Sequence, residues 1–166
     1  MCGRFVSSSS AEAIPLLEHV VRELERFRFP QWHGKFMATL GEAYRLEGDL
    51  TRARDAAERG LAIVRGAQYW IGVGYAERVL ARIARAGGDP AAAETRLGDA
   101  LRTFESIGAE FEVARVHLEL ADLVRARDVG AAREHLDQAR RTFAALKTPR
   151  YAERAEALAA ELARTG

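Results

Sequence analysis

The sequence has a single cysteine, Cys2, so no disulfide can form within it and no cysteine cage can hold a metal. It also lacks an excess of either charge: 25 Lys and Arg face 24 Asp and Glu, for a net charge of +1. Such a balance creates no overall field drawing the chain to nucleic acid or to an anionic membrane, and neither is expected as a partner. No apolar run approaches the roughly 18 residues of a membrane-spanning helix. No basic segment followed by an apolar one opens the chain, so no secretory signal is read and the expected location is the cytoplasm. Aromatic residues are only 8% and prolines number four, and the β-branched clusters that build strands are sparse. What is abundant is Ala, Leu, Arg and Glu, all strong helix formers. The expected class is all-α, and 166 residues leave room for about three to four stacked helical hairpins.

Internal periodicity organises these helices. Leu40-Gly41, Leu80-Ala81 and Leu120-Ala121 recur at a spacing of 40 residues. Second-helix positions follow in step: Ala53, Ala93 and Ala132, then Gly60, Ala100 and Ala139, with large apolar Val64, Phe104 and Phe143 beyond them. A deletion of one residue before Asp128 accounts for the shorter third copy. The turns match as Gly48-Asp49, Gly88-Asp89-Pro90 and Arg127-Asp128. Small residues let antiparallel helices approach closely while neighbouring Leu, Val or Phe fill the flanking holes. Two small residues seven apart on the second helix lie almost two turns apart on one face, marking the line of closest approach. In the turn, Gly tolerates left-handed backbone and Asp caps the next helix.

Gly41, Ala53 and Gly60 resemble the signature of the tetratricopeptide repeat: a small residue in the first helix and two more, twelve and nineteen positions later, in the second. Ala81, Ala93 and Ala100 fit the same register, as do Ala121, Ala132 and Ala139 once the deletion is allowed for. The resemblance covers roughly residues 11 to 164, with copies about six residues longer than the family standard. It implies a right-handed α-α superhelix whose first helices line a concave, partner-binding wall. The long form, and the closing stretch from Lys147 to Ala155, resemble the C-terminal helical regions of bacterial ATP-hydrolysing transcription regulators and cyclase-linked ATPases.

The expected helices cover 13–28, 31–47, 51–65, 70–86, 91–107, 110–126, 130–146 and 150–164. Residues 1–10 are expected to be a flexible leader ahead of a single repeat domain, 11–166. The helix at 13–28 reads as the second half of a pair, with Ala13, Leu17, Val20 and Leu24 on its packing face. The last helix reads as a cap with Glu153, Arg154, Glu156 and Glu161 outward. An uncapped N-terminal helix exposes apolar surface, so self-association there, or membership of a longer regulator, is expected.

Candidate site residues fall into few groups. Arg45, Arg85 and Arg125 occupy one repeat position, with Arg78, Arg82 and Arg115 on nearby first-helix faces. On the concave wall that the resemblance implies, they form a basic ladder suited to a carboxylate-rich peptide or a phosphate. Glu42 and Asp122 share the wall and would pair with them, and Tyr75 belongs to an aromatic zone with Trp32, Phe36, Tyr44, Tyr69 and Trp70. The alternative role of such arginines is to offset helix dipoles near C-termini. His19, His33, His117 and His135 show no i,i+4 pair, so no metal site is expected. Gly72-Val73-Gly74 lacks the preceding strand and third glycine of a nucleotide loop, and no cofactor is expected.

Met1-Cys2-Gly3-Arg4-Phe5, followed by Val6 and four serines, resembles the start of the SOS-response-associated peptidase family. That resemblance implies an exposed N-terminal cysteine that attacks abasic sites in single-stranded DNA. It covers about ten residues, and that family's Tyr-Asn-x-Ala-Pro, Gly-Phe-x-Glu-Trp and His-x-Met-Pro segments are absent. No Ser-His-Asp set, carboxylate pair or phosphate loop emerges from the spacing either. The reading is therefore a protein- or peptide-binding scaffold without catalysis, with the Cys2 enzyme as the alternative.

Overall fold

The computed structural model describes the backbone of residues 3–165 and the side chains of residues 13–164. Among these residues the fold is all-α: α1 Gly3–Arg26, α2 Pro30–Leu46, α3 Leu50–Gly66, α4 Trp70–Ala86, α5 Pro90–Ser106, α6 Glu110–Val124, α7 Val129–Ala145 and α8 Pro149–Thr165. Consecutive helices are joined by short turns and packed in pairs. The chain divides into two compact units, Met1–Ala100 and Leu101–Gly166, with α5 crossing the division.

Six turns are built alike. The backbone N–H groups of Phe29, Asp49, Tyr69, Asp89, Ala109 and Thr148 each reach back to a carbonyl five residues earlier, at 2.9–3.1 Å. Just before each donor sits a residue in the left-handed region: Arg28, Gly48, Gln68, Gly88, Gly108 and Lys147, with φ between 51° and 85°. Together these make the helix stop known as a Schellman motif. The turn from α6 to α7 differs. There Asp128 N–H reaches only to Val124, at 2.9 Å, and no residue has positive φ. That is where the third copy lacks one residue, so the deletion removed the left-handed step. The second helices are capped by side chains: Asp49, Asp89 and Asp128 accept the N–H of Arg52, Ala92 and Ala131, each at 2.9 Å.

In the first unit α2 packs on α1, α3 and α4 around Met37, Leu40, Leu61, Val64, Val73 and Val79. The small-residue line lies where the helices nearly touch. A Cβ added at Gly41 would meet Ala53 O at 2.8 Å, and one at Gly60 would meet Gly34 O at 2.6 Å. Gly34 extends the line by almost two turns, and the 40-residue register repeats it as Gly74 and Ala114, all three buried. In the second unit α7 packs between α6 and α8 around Leu118, Val124, Leu136, Phe143, Leu158 and Leu162. Phe111 and Tyr151 close that core edge to face, with ring centroids 5.1 Å apart at 89°. Glu153, Arg154, Glu156 and Glu161 of α8 are exposed.

The start of the chain differs from the sequence reading. A leader is expected to residue 10 and a helix from 13, whereas α1 begins at Gly3 and carries Pro15 inside it. Leu17 packs on the first core as expected, but the buried residue beside it is Val21, not Val20. Leu16 stays 65% exposed on the helix assigned to self-association.

Candidate functional site

On the first unit, α2 and α4 place the expected polar side chains along one face. Glu42 is the hub. Arg45 donates to it through Nε at 2.8 Å and Nη2 at 3.1 Å, and Arg82 through Nη1 at 3.3 Å. These three side chains are 20–30% exposed, so they are ordered yet open to a ligand. Almost one turn before Glu42 on α2 and almost two turns before Arg82 on α4, the hydroxyls of Thr39 and Tyr75 lie 3.3 Å apart. Thr39 in turn bonds the Lys35 carbonyl at 3.0 Å, and Lys35 Nζ sits 5.2 Å from the ring centroid of exposed Trp32. Arg85 is exposed at the end of α4.

Arg78 corrects the expectation of an open ladder: it is 1% exposed. The cause is α4 itself, which is buried almost all round, from Gly72 through Ala84, leaving only a narrow wall on that helix. Beside Arg78, Glu77 is fully buried. Its carboxylate accepts Arg65 Nη2 at 2.5 Å and Arg96 Nη1 at 2.9 Å, so one buried charge ties α3, α4 and α5 together. The sequence reading did not single out Glu77, Arg65 or Arg96.

The second unit holds the remaining candidates in separate groups. Arg115 bonds Glu112 at 3.1 Å and 3.2 Å, and its guanidinium lies 5.6 Å from the Phe111 ring and 5.4 Å from the Tyr151 ring. Arg125 bonds Asp122 at 3.1 Å and also Glu161 of α8. Arg115 and Arg125, like Arg45 and Arg82, are therefore engaged with carboxylates, which fixes their geometry as well as tempering their charge.

Two histidines that no single-helix spacing connects come together. His117 on α6 and His135 on α7 face each other Nδ1 to Nδ1 at 3.0 Å. Burial, and then the neighbouring His135, hold the His117 imidazole down at about 4. The repeat register carries the missed signal. Four residues before the first-helix small residue stand Met37, Glu77 and His117. Three residues after the first small residue of the second helix stand Ala56, Arg96 and His135. One hairpin position thus holds an apolar pair, an ion pair and an imidazole pair in turn. Cys2 lies outside the described residues. Among the described residues no three or more His, Cys, Asp or Glu side chains converge, and no helix is long and apolar enough to cross a membrane.

No model of a known protein family matches the sequence, and no curated protein matches it. Solved structures do. One is the crystal structure of BtubC (BKLC) from P. vanneervenii, at 21% identity and a TM-score of 0.69, covering 94% of this chain and 72% of that one. At that identity the likeness shows the fold, an all-α arrangement of consecutive helices.

Proposed function

We propose that the chain is a binding module of the tetratricopeptide type, whose α2–α4 face in the first unit holds an acidic peptide segment or an acidic patch of a neighbouring domain. The observation that carries this is the pair of guanidiniums, Arg45 and Arg82, held on the single carboxylate of Glu42 from two successive first helices. Two guanidiniums from two helices meet at one carboxylate, and such ordered, fork-shaped cations suit recognition of carboxylate groups. The Thr39 and Tyr75 hydroxyls beside them offer further polar contacts, and Trp32 offers an aromatic surface at the α2 start. Donors that are already ordered lose little side-chain entropy on binding, which favours affinity. No turnover is expected of this face.

A peptide array carrying acidic, neutral and basic segments tests it. The full chain should retain the acidic set, and Arg45→Glu with Arg82→Glu should lower affinity at least about tenfold, or 1.4 kcal/mol, with the helical signal unchanged. Equal retention of all three sets, or acidic binding indifferent to the charge reversal, would overturn the reading.

A further inference from the structure

We propose that His117 and His135 form a two-imidazole site for a late first-row divalent metal ion of the Ni²⁺ or Cu²⁺ class. The pair lies in the second unit and is independent of the peptide face. The geometry carries the argument. Nitrogens 3.0 Å apart can both reach an ion at the usual metal–nitrogen distance of about 2.1 Å, subtending about 90° at it, once the rings, now nearly head-on with centroids 5.2 Å apart, turn their Nδ1 lone pairs toward it. That angle is the cis angle of square-planar and octahedral coordination, which Cu²⁺ and Ni²⁺ favour, and water would fill the other positions. The two donors come from neighbouring helices of one hairpin, so the backbone sets their separation before any ion arrives. Both side chains are only partly buried, which gives an ion a way in.

At present one Nδ1 carries a proton and donates it to the other. On capture of an ion that proton moves to the Nε2 of the same ring, both Nδ1 lone pairs bind, and no net proton is released. The fold does not need imidazoles here, since the equivalent positions hold Met37 with Ala56 and Glu77 with Arg96.

The test is calorimetric titration of Ni²⁺ into the tag-free full chain. The expected result is one ion per chain with Kd below about 100 μM, and at least a tenfold loss in His117→Met/His135→Ala, which recreates the first-copy pair. Paramagnetic broadening by Cu²⁺ gives a second readout that needs no variant: the His117 and His135 ring signals should broaden before those of His19 and His33. Absence of binding at millimolar Ni²⁺, unchanged binding in the double variant, or first broadening at His19 or His33 would each overturn the site.

Discussion

Glu77 is the residue whose removal should matter most for stability. It is fully buried, whereas its partners Arg65 and Arg96 remain 54% and 33% exposed. Because those partners can turn to water, Glu77→Gln should cost about 2 kcal/mol, below the 3–5 kcal/mol typical when both partners of a broken pair stay buried. Glu77→Met with Arg96→Ala, copying the first hairpin, should cost less than Glu77→Gln, since an apolar pair needs no charge compensation. Urea unfolding of both variants checks the order. His117 supplies a pH prediction in chelator-treated buffer. In the fold it stays neutral down to about 4, while the unfolded chain protonates it below 6.5. The unfolded state therefore binds more protons between those values, and stability falls as pH drops through that window. Thermal melts from pH 7 to pH 4.5 should decline less steeply in His117→Met; parallel declines would contradict this origin.

At the scale of the element, the turns make the sharpest claims. Gln68 and Lys147 hold the left-handed position that Gly48, Gly88 and Gly108 hold elsewhere. A non-glycine residue is strained there, so Gln68→Gly should stabilise the chain by up to about 1 kcal/mol, and Gly48→Ala should destabilise it by a similar amount. Thermal denaturation of the two variants should move in opposite directions. The close approach of α2 and α3 gives a second prediction. Gly60→Ala pushes a Cβ to within 2.6 Å of the Gly34 carbonyl, and backbone on both sides cannot yield cheaply. A loss of about 1–3 kcal/mol in urea unfolding is expected, as for other overpacked cores.

For the molecule as a whole, most of the fold was legible in residues that repeat. Small residues, turn glycines and capping aspartates recur because every hairpin meets the same steric problem, and helices α2 to α8 follow that register within a few residues. The backward extension of α1 was not legible, because Pro15 reads as a residue of the first turn when no earlier copy exists for comparison. The site was legible in part. Glu42, Arg45, Arg82 and Tyr75 share a face because they sit at first-helix positions one or two turns apart. Arg78 does not, since the burial of α4 depends on which neighbours cover it, and its own periodicity does not show that. The His117–His135 pair escaped a search by helical spacing because its members are 18 residues apart on two helices.

The binding claim is tested most directly by backbone amide shifts of the full chain titrated with an acidic peptide that it retains. The account predicts that the largest shifts fall at 39–45 on α2 and at 75–82 on α4, saturating together. Shifts centred on the second helices α3 and α5, with 39–45 and 75–82 unmoved, would contradict it.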